Sequence, residues 1–545
     1  MSNKKLRIVP LGGLGEVGKN MMAYEYGKDI LIVDTGLMFP ENDMLGIDYI
    51  IPDFSYLADK ADRVVGIIIT HGHEDHTGAI HHVVEKVNAP IYATPLTRGL
   101  LEVKLARNGC AKADLRTVQA GDTIQLGPFK VEFFHVCHSI PDGVGLGITT
   151  PAGLIIHSGD YKFDHTPVDN WPTDYAKLAE FSARGVLALL GDSTNAERPG
   201  WTPSERVIDS ALQQVFDEAP GRIIIATFAS LISRMQQVAN AALKHNRRLA
   251  FAGTSMTDNV KMARKLGYLD FPENLVVPID QALNMKDKEV VIMCTGSQGE
   301  PSSILGRLSN GANRLFDLKP GDTVVLSSHP IPGNEEMVYR TINKLFQRGA
   351  RVIYEAIAPV HVSGHASAEE IKLLIHLTQP KYVIPIHGEL RQLHQHAALA
   401  RQVGIPAENI AVIENGQVVE FENGKMSLGE RVPGKYVFVD GSGVGDVGPG
   451  VMREREALSR DGIVMVNLEL DGAQNRLAQE AEVITRGFMT FEDRDELVAG
   501  MKRRIVETVS KADGNLRGDV EQCVKSYLYN ETKRRPMIFV NVNRD

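Results

Sequence analysis

Between residues 67 and 79 the chain reads IIITHGHEDHTGA, which places His71, His73, Asp75 and His76 within six residues directly after an apolar run. Four potential metal ligands in one strand-end loop can point to a common centre. His71 and His73 could serve one ion and Asp75 and His76 a second. Neutral imidazoles combined with carboxylates suit zinc or manganese. The neighbouring His81–His82 pair reads differently, as solvated histidines on a helix surface.

One loop cannot complete two coordination shells, so further ligands must come from other strand ends. His138 follows FKVEFFHV, Asp160 follows LIIHS, Asp192 follows VLALL, and His387 follows KYVI. Asp34, in IVDTG, has the same setting. Taken singly, each reads equally well as a capping aspartate or a core histidine. Together they define one reactive face, where α/β sheets place their working loops.

The elements that must position these residues alternate in style. Up to about residue 195 the chain consists of short apolar strands ending in polar or glycine-rich turns. From about 203 to 360, strands such as RIIIATF, VVIMC and TVVLSS alternate with helical segments such as ISRMQQVANAALKH, the pattern of a parallel α/β sheet. The first style returns to about residue 425. A glycine-rich stretch, DGSGVGDVGPG, then leads to a smaller unit containing GIVMVNLEL, an amphipathic helix over 494–511, and a last strand in MIFVNV.

Gly13, Gly15 and Gly18 match a dinucleotide-binding fingerprint, and Gly18-Lys19 nearly completes a phosphate loop. Both motifs require a following helix. Here Gly27-Lys28 reads as a tight turn before a strand over 29–33, so a glycine loop between strands is expected. At 545 residues several domains are expected. The net charge of −9 argues against indiscriminate nucleic-acid coating. No run approaches the length of a membrane span and no signal-like segment opens the chain, so a cytoplasmic protein without membrane attachment is expected. The four dispersed cysteines read as reduced thiols.

H-x-H-x-D-H with these later Asp and His motifs resembles the metallo-β-lactamase-fold hydrolases. The insertion ending HVSGHAS, followed by IHGE, resembles the β-CASP nuclease branch. LGGLGEVGKN, HGHEDHTGAI, GDSTNA, CTGSQGEP, SSHPIPGNE and TKRRPM together resemble bacterial ribonuclease J along nearly the whole chain. The fold so implied is α/β: a metallo-β-lactamase αββα sandwich over 1–200 and 361–430, an inserted β-CASP domain over 201–360, a linker over 431–450, and a small α+β domain over 451–545.

The resemblance implies two Zn2+ per subunit, with Mn2+ or Mg2+ able to replace them. His71, His73 and His138 would hold the first, Asp75, His76 and His387 the second, and Asp160 would bridge. It implies Asp75, His365 and Asp192 as catalytic residues, with His365 the general acid and Asp192 tuning it. The segment His361, Val362, Ser363, Gly364 and His365 would grip a phosphate through successive amides, with Ser297 nearby and Arg234 a further phosphate contact. Ser233 stands where relatives often carry histidine. The implied activity is a 5′-to-3′ exoribonuclease that prefers a 5′-monophosphate, with some endonuclease activity, in mRNA decay and rRNA maturation. Its substrate would be single-stranded RNA, it would form a homodimer or homotetramer, and RNA-decay proteins could be partners. Hydrolysis of a small ester or thioester, and a non-catalytic RNA-binding role, are the alternative readings.

Overall fold

The structure, a computed structural model, describes residues 5–471, 476–488, 494–512 and 514–544. The chain divides into two compact units, Met1–Glu41 with Tyr49–Val437, and Asn42–Asp48 with Phe438–Asp545.

In the first unit two sheets face each other. One has eight strands, from Lys425–Arg431 at one edge through Leu6–Gly12, Met21–Tyr26, Asp29–Val33 and Val64–Ile68 to Leu115–Thr117 at the other. The second has six and runs Tyr382–Ile386, Val186–Asp192, Gly153–His157, Val144–Thr150, Phe129–His135, Thr123–Leu126. Leu31, Val33, Phe129, Phe133, Leu146 and Ile155 fill the space between them. The strands carry apolar side chains on both faces, because helices cover each outer face. This is the αββα sandwich expected from the sequence.

The hairpin Met21–Tyr26/Asp29–Val33 confirms that no helix follows the glycine loop. The glycines allow close packing instead: a Cβ on Gly12 would fall 1.9 Å from the Lys19 carbonyl oxygen.

The inserted segment forms a five-stranded, all-parallel sheet ordered Arg248–Phe251, Val290–Cys294, Ile223–Ala226, Thr323–Leu326, Arg351–Ile353. Helices such as Val207–Glu218 and Ile232–Lys244 cover one face, and Glu335–Gln347 lies on the other. This insertion docks on the sandwich through named contacts: Tyr268 donates to Asp142 Oδ2 at 2.7 Å, and Gly99 packs against Met262.

In the second unit Ile463–Asp471 pairs antiparallel with Glu482–Arg486 and parallel with Met537–Arg544. Helices Arg494–Lys511 and Leu516–Thr532 cover one face. Met501 and Ile505 are fully buried against Val464, Val466 and Leu468, with Leu497 packed beside them. The apolar helix stripe is therefore satisfied within its own unit. The stretch expected as a plain linker is partly ordered: Tyr436–Asp440 is a strand that pairs with Gly443–Val444. The amide of Asp48 donates to the Val439 carbonyl at 2.9 Å, which ties Asn42–Asp48 into this unit. Asp545, the end of the terminal motif, lies outside the described residues.

Candidate metal and catalytic centre

Parallel pairing explains why distant residues meet. Gly153–His157, Val186–Asp192 and Tyr382–Ile386 are adjacent parallel strands, so Asp160, Asp192 and His387 emerge side by side at their C-terminal ends. In the facing sheet, Asp29–Val33 and Val64–Ile68 are also adjacent and parallel and deliver Asp34 and the His71–His76 loop. His138 follows Phe129–His135.

The side chains then form two groups, His71/His73/His138 and Asp75/His76/Asp160/His387. His73 Nδ1 lies 3.2 Å from His71 Nε2 and 3.1 Å from His138 Nε2. His76 Nε2 lies 3.1 Å from Asp160 Oδ2 and 3.5 Å from Asp75 Oδ2, and His387 Nε2 lies 3.4 Å from the same Asp75 oxygen. Asp160 Oδ2 is also 3.6 Å from His71 Nε2 and 3.8 Å from His138 Nε2, so it stands between the groups. Ligands about 2.0–2.1 Å from a tetrahedral ion are separated by roughly 3.3 Å. The observed spacings match that edge.

The outer ring nitrogens settle which atoms are available. His138 Nδ1–H donates to the Gly364 carbonyl at 2.8 Å, His76 Nδ1–H to Asp34 Oδ2 at 2.8 Å, and His71 Nδ1 lies 3.1 Å from Thr70 Oγ1. With an ion bound, each would present Nε2 to the centre, the arrangement that orients metal-binding histidines. Asp34 is fixed in turn, because Oδ1 accepts the Thr70 amide at 2.8 Å and Oδ2 the Thr70 hydroxyl at 2.9 Å. His387 Nε2 is buried with no hydrogen-bond partner among the described residues. Backbone packing is equally tight: a Cβ on Gly36 would lie 1.6 Å from the Asp75 carbonyl oxygen.

Electrostatics separate the two groups. Burial, reinforced by neighbouring imidazoles, pushes His71 and His138 well below the ordinary histidine range, and burial takes His73 to about 4. These three are neutral donors. Around His76 burial opposes charge, but Asp160, Asp75 and Asp34 together raise it well above its usual range. His387 is raised against burial by Asp160 to about 10. Burial works to raise Asp75 and Asp160, yet His76 and His387 hold both well below the normal carboxylate range. The concentrated negative charge that draws protons onto these imidazoles is charge a divalent cation would satisfy. Donor chemistry, spacing and the orphaned nitrogen all fit a metal site.

Beside this cluster His365 Nδ1–H donates to Asp192 Oδ2 at 2.8 Å, and Nδ1 is 3.9 Å from Asp160 Oδ2. Burial opposes its charge, and Asp192 raises it above the usual histidine range. Its backbone is clamped: the His365 carbonyl accepts from Thr202 Oγ1 at 2.7 Å and Asn195 Nδ2 at 3.1 Å, and Ser363 Oγ accepts from Asn195 at 2.8 Å. A cavity of about 650 Å3 opens over the centre and is lined by His73, Asp75, Asp160, His361, Ser363, Gly364, His365 and His387, with the glycine loop on one side.

Three expected substrate-contact residues do not line it. Arg234 is 1% exposed, and its guanidinium donates to Gln237 Oε1 at 2.9 Å, Glu205 Oε2 at 3.0 Å, the Val360 carbonyl at 2.8 Å and the Ser327 hydroxyl. It anchors the start of HVSGH from behind, with four of its five N–H donors engaged and its side chain closed off from the cavity. Ser297 is buried, and its carbonyl accepts from Ser328 Oγ at 3.2 Å, so it supports the wall instead of lining it. Val362 is likewise buried, its side chain in the core of the inserted domain. Sequence reading missed Thr70, Asn195, Thr202, Arg198 and Phe228. Thr70 adjoins the histidine motif and could have been found; Asn195 and Thr202 act through contacts more than 160 residues distant, and Phe228 and Arg198 only share the cavity wall.

The inserted sheet matches the family description "Ribonuclease J, beta-CASP domain" over residues 220–345, and residues 450–544 match "Ribonuclease J C-terminal domain". Residues 14–195 match the metallo-beta-lactamase superfamily, and 349–410 a Zn-dependent metallo-hydrolase RNA specificity domain. Ribonuclease J2 of Bacillus subtilis is 42% identical over 98% of both chains. The chain belongs to the ribonuclease J family. Ribonuclease J 1 of Streptococcus pyogenes is 40% identical over 97% of this chain and 96% of its own, and ribonuclease J of Synechocystis 40% over 99% and 87%. A crystal structure of a protein of unknown function from Enterococcus faecalis shares the fold, with a TM-score of 0.56 at 16% identity over 76% of this chain and all of its own. Members of the ribonuclease J family are metal-dependent hydrolytic ribonucleases, and the centre described above belongs to that class. Among the described residues no helix is long and apolar enough to cross a membrane.

Proposed function

We propose that the chain is a two-metal 5′-to-3′ exoribonuclease that prefers a 5′-monophosphate and retains some endonuclease activity, acting on single-stranded RNA in mRNA decay and rRNA maturation. The observation that carries this reading is the adjacency of seven potential metal ligands, a histidine–carboxylate pair and a small-residue segment at one cavity. His71, His73 and His138 would hold one zinc ion, and Asp75, His76 and His387 a second, with Asp160 shared. Bound ions of this kind lower the pKa of an attacking water and neutralise phosphoryl charge.

The chain's own residues supply the rest. Ser363 and Gly364 let the backbone approach a terminal phosphate, which fixes the first scissile bond relative to the centre. Asp75, with its side chain 30% exposed where Asp160 is 3%, accepts a hydrogen bond from the attacking water. His365, kept protonated by Asp192, gives its proton to the leaving 3′ oxygen. The cradle takes one phosphate, and the added charge and bulk of a triphosphate oppose entry.

Incubating the full chain with matched 5′-monophosphorylated and 5′-triphosphorylated RNA tests this. Mononucleotides released from the 5′ end, much faster from the monophosphate, are expected. Products shortening from the 3′ end would contradict it.

A further inference from the structure

A second concavity, of about 420 Å3, adjoins the catalytic cavity within the same compact unit. Arg198, His361 and Ser363 line both, so the start of HVSGH is the partition between them. Beyond the partition the wall is apolar and open, with Trp201 49% and Ile357 57% exposed and Pro199 and Pro359 beside them. The Trp201 ring centroid lies 5.9 Å from that of His165. Glu355, a carboxylate in this wall, is engaged by His329 Nδ1 at 2.6 Å, and His329 Nε2 lies 3.4 Å from Arg198. Glu355 is thereby already engaged beside the partition. An open indole next to an arginine is the pairing that single-stranded nucleic acid uses, a π-face for a base and a cation for its phosphate.

The two cavities have a strand-direction consequence. If the cradle at Ser363–Gly364 takes the 5′ phosphate of the first nucleotide, a strand with a free 5′ end stops at the partition. A strand cut internally carries a diester at that position, and its preceding nucleotide must continue past His361. We infer that the Trp201 groove is the subsite for this upstream nucleotide, its base stacked on the indole and its phosphate met by Arg198. The groove is engaged in internal cleavage and idle in exonucleolytic release. This inference rests on the cradle assignment made under the proposed function.

A circular single-stranded RNA, which has no 5′ end, separates the two modes. For Trp201→Ala, KM on the circle is expected to rise roughly 5- to 150-fold, the range of one lost base stack. Release from a linear 5′-monophosphorylated RNA of the same sequence should stay within two-fold, and Trp201→Phe should recover most of the circular activity. Unchanged cleavage of the circle by Trp201→Ala would overturn the inference. Should both substrates suffer, fluorescence decides. Trp171 and Trp201 are the chain's two tryptophans, so Trp171→Phe in an Asp75→Ala background leaves one reporter on an intact chain. Quenching by the circle but not by the linear RNA supports the subsite; equal or absent quenching rejects it. Failure of the linear RNA to yield 5′ mononucleotides would instead refute the exonuclease reading, whatever Trp201 does.

Discussion

At the residue scale the centre depends on atoms one bond beyond the ligands. Asp34 touches no ion in the proposed arrangement, yet it accepts the Nδ1 proton of His76 and two hydrogen bonds from Thr70. Removing such a partner frees the imidazole to rotate and to change tautomer, and typically weakens metal affinity about 10- to 100-fold. Asp34→Ala is therefore expected to lose that much affinity at the Asp75/His76 group, as read by competition with a chelator, while the His71/His73/His138 group keeps its ion. Equal affinity in both proteins would show that Asp34 is only a strand-end cap. The motif ligands were legible in the sequence because their spacing is local. Arg234 was not legible for the opposite reason: an arginine in the first turn of a helix carries no mark of burial in the sequence, and here it is held by Glu205, Gln237, Ser327 and Val360.

At the element scale, neighbouring parallel strands turn residues far apart in the chain into one site, and the HVSGH segment must lie against that site without gaps. Gly364 makes the contact. A Cβ there would fall 2.5 Å from His138 Cε1 and 2.8 Å from the Ser139 amide nitrogen. Gly364→Ala must displace either the cradle or His138, and misplacement near 1 Å costs on the order of 100-fold in rate. We expect kcat/KM to fall by about that factor while thermal unfolding changes little; a fully active variant would mean the segment is not seated against the centre. The strands and the inserted parallel sheet followed from apolar runs and turn residues, whereas the strand order is seen only in the structure. The ordering of Tyr436–Asp440 did not, because its pairing with Gly443–Val444 lies inside a stretch whose glycine content reads as a linker.

At the scale of the whole molecule, the small C-terminal unit has a closed core, with the helix stripe at Met501 and Ile505 spent on its own sheet. Its other sheet face is different. Met465 and Phe539 are register partners on adjacent strands opposite the helices, and Phe539 is 41% exposed. An apolar row of this kind suits burial against another surface. Deleting the residues after 448 should therefore reduce a dimer or tetramer to monomers and remove much of the activity. Light scattering that finds only the 59.8 kDa species for the intact chain would reject this.

In the reading proposed above, His71, His73, Asp75, His76, His138, Asp160 and His387 hold the ions through which RNA is hydrolysed. The decisive measurement is metal content and RNA cleavage, taken together on the purified chain and on the Asp75→Ala, His76→Ala double variant. Asp75 and His76 sit on the short helix Glu74–Thr77 beyond a strand end, outside the sheets, so the variant should fold. It should retain no more than one ion where the parent holds two, and its RNA hydrolysis should be abolished. A double variant that cleaves RNA at the parental rate, or a parent with no bound divalent metal and full activity, would contradict the account.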